Sequence, residues 1–179
     1  MLDDMLKMKK WLALLAIVLL LVGCSGTPKN AQEFRQEALN SPFKSTFNLV
    51  ETYEVARPFP DVSATLRKKA NECLAITYDW STEMGQYRTK RSGTTAYKPT
   101  FVASAKKAEL HLQKSSTGTI QVGAPAAGGY IIVLDATPLA KNRTRIDTYS
   151  NPAEADLFKK AMRGWVTGDN QGCPDLINK

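Results

Sequence analysis

Residues 130–137 read YIIVLDAT and are the most apolar of the segments that have the character of a β-strand. Apolar residues at consecutive positions, rather than at alternate ones, are typical of a strand whose two faces are both covered. Such a strand belongs in the interior of a sheet. We therefore predict that this segment is the centre of a sheet and that its neighbours in the chain pair with it.

The segments on either side alternate between apolar and polar side chains. Residues 107–114 place Ala108, Leu110 and Leu112 on one face and Glu109, His111 and Gln113 on the other. Residues 143–149 return after a turn at residues 138–142. Strict alternation indicates a strand with one face in the core, so we expect both segments to be strands of one antiparallel sheet.

Four further segments are predicted to contribute to the sheet. Residues 46–56 form a strand with Phe47, Leu49 and Glu51 on one face, and residues 75–84 form a strand by the alternation of Ile76, Tyr78 and Trp80. A hairpin turn at residues 115–118 leads into a short strand at residues 119–122. Residues 94–102 are irregular or an edge strand, because Pro99 cannot donate a hydrogen bond to a central ladder.

Three segments have helical spacing. The first begins at Asn30, a predicted N-cap with Glu33 as its capping partner, and ends before Pro42. Its predicted apolar stripe is Phe34, Ala38 and Leu39. The second begins at the N-cap Asp61 and carries Cys73 on the buried side of its last turn.

The third helix is predicted to open at Asn151-Pro152-Ala153-Glu154 and to end at Gly168. Its apolar stripe consists of Leu157, Phe158, Ala161, Met162 and Trp165. A stripe of this width must be covered in a folded domain. We therefore expect it to pack on the sheet, on the same side as the second helix.

This order of elements predicts an α+β fold. We expect an antiparallel sheet of about four to six strands with two or three helices packed on one face. The order resembles that of helix-grip folds, which are two-layer sandwiches, and that of the small domains of outer-membrane assembly lipoproteins. The likeness concerns the order of elements only.

The N-terminus has the layout of a secretory signal: Lys7, Lys9 and Lys10 precede an apolar run, and a small residue precedes Cys24. The run is shorter than the roughly 20 apolar residues that span a bilayer. Leu21-Val22-Gly23-Cys24 resembles the lipobox of bacterial lipoproteins. That resemblance implies a diacylglycerol on the sulfur of Cys24, removal of residues 1–23 and acylation of the new amino group.

The same resemblance sets the predicted organisation: a signal peptide at residues 1–23, a tether at residues 24–29 and a single periplasmic α+β domain at residues 30–179. The residue after Cys24 is Ser25 rather than aspartate, which in enteric-type bacteria resembles the signal for transfer to the outer membrane. The predicted location is therefore the periplasmic face of the outer membrane, although the inner membrane stays an alternative. Asp3 and Asp4 are unusual in a basic leader, so Met1, Met5 and Met8 all stay open as the start.

The charge balance is basic. The chain carries 24 Lys and Arg against 17 Asp and Glu, and removal of three lysines and two aspartates with the leader leaves a net charge of +6. A basic surface suits anionic lipid headgroups or cell-wall carboxylates. Export argues against nucleic acid, and scattered charges are typical of a solvated surface.

The cysteines that remain after lipidation of Cys24 are Cys73 and Cys173. An even pair in an oxidising compartment predicts a disulfide; the alternative is two free buried thiols. Two cysteines and the single histidine do not make a zinc set, so we expect no metal and no cofactor.

Candidate catalytic groups are few. No nucleophile motif surrounds His111, which we interpret as a surface histidine. Asp135 and Asp147 lie in neighbouring predicted strands, either as an acid–base pair or, with Arg145, as partners in cross-strand ion pairs. The glycine-rich residues 123–129 lack the lysine of a phosphate loop. These features argue against an enzyme.

We therefore expect a membrane-anchored lipoprotein that acts as a non-enzymatic binding or scaffolding module in the bacterial cell envelope. Its predicted partners are the membrane, through Cys24, and another envelope protein. The alternative is a carrier that holds a small apolar ligand between the sheet and the C-terminal helix. A large cavity at that place favours the carrier, whereas a filled core with an exposed apolar groove favours the binding module.

Overall fold

The structure, a computed structural model, describes residues 27–84, 89–118, 125–152, 155–169 and 172–175. Its helices are α1 (Ala31–Asn40), α2 (Phe59–Lys69), which continues into a π-helical turn (Ala70–Leu74), and α3 (Ala155–Thr167). Its strands are β1 (Val50–Val55), β2 (Thr77–Met84), β3 (Thr89–Ala103), β4 (Ala108–Ser116), β5 (Gly129–Ala140) and β6 (Arg143–Ser150). None of the helices in the described residues is long and apolar enough to cross a membrane.

The six strands form one open sheet in the order β1-β6-β5-β4-β3-β2, and every neighbouring pair is antiparallel. β5 lies between β6 and β4, and its side chains from Ile131 to Ala136 are buried. The predictions of an α+β fold and of a central apolar strand are thus confirmed. Consecutive apolar residues occur here because both faces of β5 are covered.

One face of the sheet packs against α2 and α3. Even-numbered side chains of β4, β5 and β6, such as Leu110, Leu134 and Ile146, meet a helical layer dominated by Trp165 and Phe158. The predicted stripe of α3 is buried except for Leu157, which is partly exposed. The two helices lie on one face of the sheet, as expected, and together they form the main core.

α1 lies on the opposite face. Ala31 and Phe34 pack against Val133, and Tyr130 and Tyr149 flank this small cluster. Glu109 of β4 and Val133 and Asp135 of β5 point to this side, and α1 covers part of them. The sequence pattern located the helix correctly but did not indicate its face.

The predicted caps are partly confirmed. The Asn30 side chain accepts a hydrogen bond from the Glu33 backbone N–H, and α1 ends at Asn40, before Pro42. Gly168, with a φ of 89°, follows the last residue of α3. The N-cap of α2, however, is Pro58 rather than Asp61, because the helix begins one turn earlier and Asp61 lies in its first turn.

Several predicted boundaries were wrong. β1 begins at Val50 rather than at residue 46, and Phe47 and Leu39 are exposed instead of buried. Residues 94–102 are not irregular but belong to the long strand β3. Because β2 pairs with β3 only up to Ala96, Pro99 lies at an edge, which was the predicted alternative, and pairs with β4 alone. α3 begins at Ala155; part of its predicted cap, at residues 153–154, and the predicted strand at residues 119–122 lie outside the described residues.

The end of the chain is tied to the α2–α3 layer. A disulfide joins Cys73, in the π-helical turn, to Cys173. The indole Nε1 of Trp165 donates to the carbonyl oxygen of Gly172 at 2.8 Å. Arg57 Nη1 donates to the carbonyl oxygens of Trp165 and Val166, at 2.8 and 3.1 Å, so its guanidinium caps the C-terminus of α3.

Candidate functional site

A groove of about 210 Å³ lies beside α1, on the face of the sheet away from the main core. Its apolar walls are Phe34 and Ala38 of α1, Phe43 and Phe47 of the following turn, and Leu49. Polar and small side chains complete it: Glu37, Ser41, Ser150, Asn151 and Pro152. The groove thus combines an apolar floor with a few polar groups, the usual composition of a binding site.

The turn that forms the outer wall is held by its own backbone. The Lys44 N–H donates to the carbonyl oxygen of Ser41 at 3.3 Å, Phe47 N–H to Phe43 at 3.1 Å, and Leu49 N–H to Lys44 at 2.9 Å. These bonds make a short coil in place of the predicted start of β1. Asn48 closes it with a φ of 48°, a left-handed conformation that asparagine tolerates.

The turn exposes an unusual amount of apolar surface. Phe43 is 60 % exposed and Phe47 is 51 % exposed, and their ring centroids are 6.1 Å apart. Leu39, at the end of α1, is 44 % exposed. The described part of the chain has five large apolar side chains with this degree of exposure, and these three fall within nine consecutive residues. Such clustering marks a contact surface rather than scattered exposure.

A cluster of charges fixes α1 to the sheet. Arg35 donates to both carboxylate oxygens of Asp135, with Nε–Oδ2 at 2.9 Å and Nη2–Oδ1 at 2.6 Å, and its Nη2 also donates to Glu109. Lys107 Nζ lies 3.1 Å from Glu109 Oε1 and 3.0 Å from Asp135 Oδ2. His111 Nε2 lies 3.0 Å from Glu109 Oε2. Two carboxylates thus bind two permanent cations, and the bidentate guanidinium holds α1 in one position.

Ionisation of this cluster follows from its contacts. Burial disfavours the charged form of Glu109, but hydrogen bonds from Arg35, His111 and Lys107 outweigh it and lower the pKa of Glu109 to about 2. For Arg35, burial likewise opposes the charge, and the bonds to Asp135 and Glu109 still raise its pKa. Glu109 and Arg35 therefore stay ionised at neutral pH.

These contacts lead to a prediction for acid stability. A carboxyl group whose pKa is lower in the folded than in the unfolded protein stabilises the fold. This contribution is complete when the pH is above the unfolded pKa, and it is lost as the pH falls towards the folded pKa. For Glu109 that window runs from about 4.3, the usual glutamate value, down to about 2. We expect the free energy of unfolding to fall across this window, and to fall less steeply in Glu109→Gln, as measured by urea unfolding at a series of pH values.

The control is Glu54→Gln, because Glu54 pairs with Arg143 at the surface, at 3.1 Å, and both side chains are more than half exposed. Exposed pairs contribute only about 0–1 kcal/mol. This variant should follow the native pH profile closely. Parallel profiles for the native protein and Glu109→Gln would show that Glu109 does not couple to folding.

The structure gives different partners to the two aspartates that were candidates for an acid–base pair. Asp135 and Asp147 are opposite one another in the β5–β6 ladder, but each has its own partners. Asp147 accepts from Arg145 Nη2 at 2.9 Å and from the hydroxyl of Thr52 at 2.7 Å. Ion pairing is thus the role seen for both, although Arg145 lies on the same strand as Asp147 and not across from it. His111 is no plain surface residue, since only 14 % of its side chain is exposed.

The other predicted site residues lie elsewhere. Cys24 lies outside the described residues, and the disulfide of Cys73 and Cys173 belongs to the opposite face of the sheet. In the part of the glycine-rich loop that the structure describes, Gly128 adopts a φ of 98° and its carbonyl oxygen accepts from Gln113. The described residues contain no grouping of three or more His, Cys, Asp and Glu side chains that could hold a metal ion.

Sequence reasoning missed Arg35, Phe43 and the groove. A signal for Arg35 was present. Glu109 and Asp135 are at odd-numbered positions, as Val133 is, and β5 was predicted to be covered on both faces. A carboxylate on the face of Val133 would therefore be buried, and a buried carboxylate requires a cation. The spacing of Ala31, Phe34, Arg35 and Ala38 places that cation on the buried side of α1. No local signal indicated the groove, since it forms only where residues 34–49 meet residues 150–152, more than 100 positions later in the chain.

No protein-family model matches the chain, and no curated protein matches it at a significant level. Solved structures match the chain at low similarity. A conserved protein from Geobacillus kaustophilus is 14 % identical over 68 % of this chain and 91 % of that chain, with a TM-score of 0.32. The di-domain ARO/CYC StfQ from the steffimycin biosynthetic pathway is 12 % identical over 67 % of this chain and 42 % of its own, also with a TM-score of 0.32. Protein NE0264 from Nitrosomonas europaea is 15 % identical, with a TM-score of 0.28 over 69 % and 89 % of the two chains. Likeness at this level bears on neither activity nor ligand.

Proposed function

We propose that this protein is a lipoprotein of the bacterial cell envelope, anchored through Cys24, that acts as a non-enzymatic binding module. The observation that carries the proposal is the contrast between the two faces of the sheet. The face towards α2 and α3 is a filled core, whereas the face towards α1 has an exposed apolar groove. The resemblance of residues 21–24 to a lipobox supports the anchor.

The filled core favours a binding module over the carrier. A carrier of the expected kind needs space between the sheet and α3. That space is occupied by fully buried side chains, among them Trp165, Phe158 and Met162 from α3 and Leu66 from α2. Protein interiors are close-packed, so a core filled in this way leaves little room for a ligand unless α3 moves.

The groove alone supplies limited affinity. Covering the exposed parts of the Phe43 and Phe47 rings removes roughly 200 Å² of apolar surface from water, which at about 25 cal/mol per Å² stabilises a complex by about 5 kcal/mol. Association of free molecules costs about 4–15 kcal/mol in lost freedom. The groove would therefore bind weakly in solution. An anchor that keeps the domain next to its partner removes most of that cost, because the encounter becomes effectively intramolecular.

This combination predicts that contact at the groove depends on the anchor. A photoreactive side chain replacing Phe43 should crosslink to an envelope component when intact cells are irradiated. The mass of the adduct distinguishes a phospholipid from a protein. In the same experiment Cys24→Ala should abolish both the adduct and the association with membranes, because the lipid attachment site is gone.

The matched control is the same probe at Leu139, which is 46 % exposed at the far end of β5. It should give little or no adduct. Equal crosslinking at positions 43 and 139 would show that the groove is not a preferred contact surface. A Cys24→Ala variant that is processed and fractionates with membranes as the native protein does would refute the anchor.

A further inference from the structure

We propose that the envelope component at this site is the bilayer itself: the ridge formed by Phe43, Lys44 and Phe47 inserts into the headgroup–acyl boundary of the membrane that carries the lipid of Cys24. The inference rests on the proposed function, because the anchor is what places the domain within reach of that surface. Its consequence is a fixed orientation, with the end of the sheet next to Leu49 and Ser150 turned towards the membrane.

The exposure of the ridge suits a lipid surface. Every residue from 42 to 48 is exposed, so the turn protrudes from the domain and does not lie within a pocket of its own. A fluid interface covers a protruding ridge without requiring a partner of complementary shape. Aromatic side chains next to a lysine are typical of segments that lie in the interface, where rings reach the acyl boundary and the ammonium stays at the headgroups.

The backbone of the ridge is prepared for a medium that is poor in water. Unpaired peptide groups are costly in such a medium, and the turn satisfies several of its own groups through the bonds from Lys44, Phe47 and Leu49 N–H described above. The Lys44 ammonium donates to the carbonyl oxygen of Leu39, at the end of α1, at 3.2 Å. An ammonium has three protons to donate, so two remain for lipid phosphates.

The distances are compatible with simultaneous anchoring and insertion. The N-cap Asn30 lies six positions after Cys24, and a fully extended chain of this length spans at most about 20 Å. α1 adds about 15 Å between its N-cap and the turn that follows it. The tether is therefore at least as long as the helix, and the lipid of Cys24 and the ring of Phe43 can reach one plane.

The energy also favours the bilayer. Insertion of the two rings buries the same apolar surface, but it needs no second molecule to be immobilised once the anchor is in place. A basic residue near an anionic surface adds electrostatic attraction. A protein partner at the same groove would have to recover its own loss of freedom from this small surface.

The test measures the depth of the ridge directly. The mature lipidated protein, which begins at Cys24, is reconstituted into vesicles of phosphatidylethanolamine and phosphatidylglycerol that contain a phosphatidylcholine with a nitroxide near the headgroup. The emission of Phe43→Trp should be blue-shifted, as expected for a tryptophan in apolar surroundings. Its intensity should be lower in vesicles with the nitroxide than in vesicles without it. Phe47→Trp is a second reporter on the same ridge. The native protein gives the background from Trp80 and Trp165.

The control is Leu139→Trp, another exposed apolar position. Leu139 lies six residues along β5 from Val133, which is about 20 Å at the usual strand rise, and therefore at the opposite end of the sheet. Its emission should not change with the nitroxide. Equal thermal stability of the variants shows that the fold is intact.

The outcomes separate this proposal from the one on which it rests. If the protein sediments with the vesicles but Phe43→Trp and Phe47→Trp are not quenched, membrane insertion is refuted while the anchor stands. If the reporters are unquenched in vesicles yet shielded from iodide in the native envelope, a protein covers the ridge and the proposal is likewise overturned. If native protein and Cys24→Ala sediment alike, the anchor is wrong and the inference falls with it.

Discussion

Replacing Trp165 with alanine should destabilise the protein by about 3–5 kcal/mol, the usual cost of truncating a large buried aromatic side chain. Trp165 is fully buried between α3 and the sheet and belongs to the main core. The change also removes the donor to the Gly172 carbonyl, which loosens the segment that carries Cys173. For a domain of this size such a loss lowers the midpoint of thermal unfolding by roughly 10 °C or more.

Two variants separate the contributions to that loss. Trp165→Phe keeps an apolar ring, though a smaller one, and removes the hydrogen bond to Gly172, so it should cost less than Trp165→Ala. Leu139→Ala alters an exposed side chain and should stay within about 0.5 kcal/mol of the native protein. The measurement is urea unfolding of all three variants. A small effect of Trp165→Ala together with lost binding would mean that α3 is a docking helix and not part of the core.

The strand pattern was predictable because it is local. In β4 and β5 the alternation of side chains fixes which residues share a face, whatever the partner strand is. Leu110 and Leu112 therefore were assigned correctly to the core, and the continuous run in β5 correctly indicated cover on both faces. The caps at Asn30 and Gly168 were also readable, since each depends on a few neighbouring residues.

The errors arose where tertiary contacts outweighed the local pattern. Phe47 and Leu49 continue the alternation of β1, yet the turn that begins at Ser41 forms its own hydrogen bonds and leaves Phe47 in solvent. Glu51 seemed out of place on the apolar face of β1. In the fold it pairs with Arg163 of α3 at 2.7 Å and with Lys159 at 3.2 Å, partners that no local spacing could indicate.

The candidate site depends on the same long-range information. A short helix with a weak apolar stripe can pack on either face of a sheet. The pairing of Arg35 with Asp135, 100 positions away, and the packing of Phe34 on Val133 select one. Once α1 is fixed there, the turn behind it has to run past the end of β6, and the groove forms between them. The site is thus a product of topology, and its residues carry no motif of their own.

The second large effect is expected at the disulfide. Removing it by Cys173→Ser should cost about 2–5 kcal/mol, because the unfolded chain regains the freedom of a loop of about 100 residues. Cys73→Ser should cost more. Cys173 is exposed, so its new hydroxyl meets water, whereas Cys73 is buried in the core next to Leu66 and Leu74, where a hydroxyl must find a partner or pay for desolvation.

The comparison of the two variants distinguishes the crosslink from the core. Reduction of the native protein removes only the bond, so its loss of stability should match that of Cys173→Ser within about 1 kcal/mol. The additional loss of stability in Cys73→Ser, relative to Cys173→Ser, measures the cost of the buried hydroxyl. Because the bond holds the segment after α3 against the π-helical turn, reduction should also weaken the contribution of Trp165, making the two changes less than additive. Non-reducing mass analysis that finds two alkylatable thiols in the folded protein, or unfolding that is indifferent to reductant, would show that the chain end is held by packing alone.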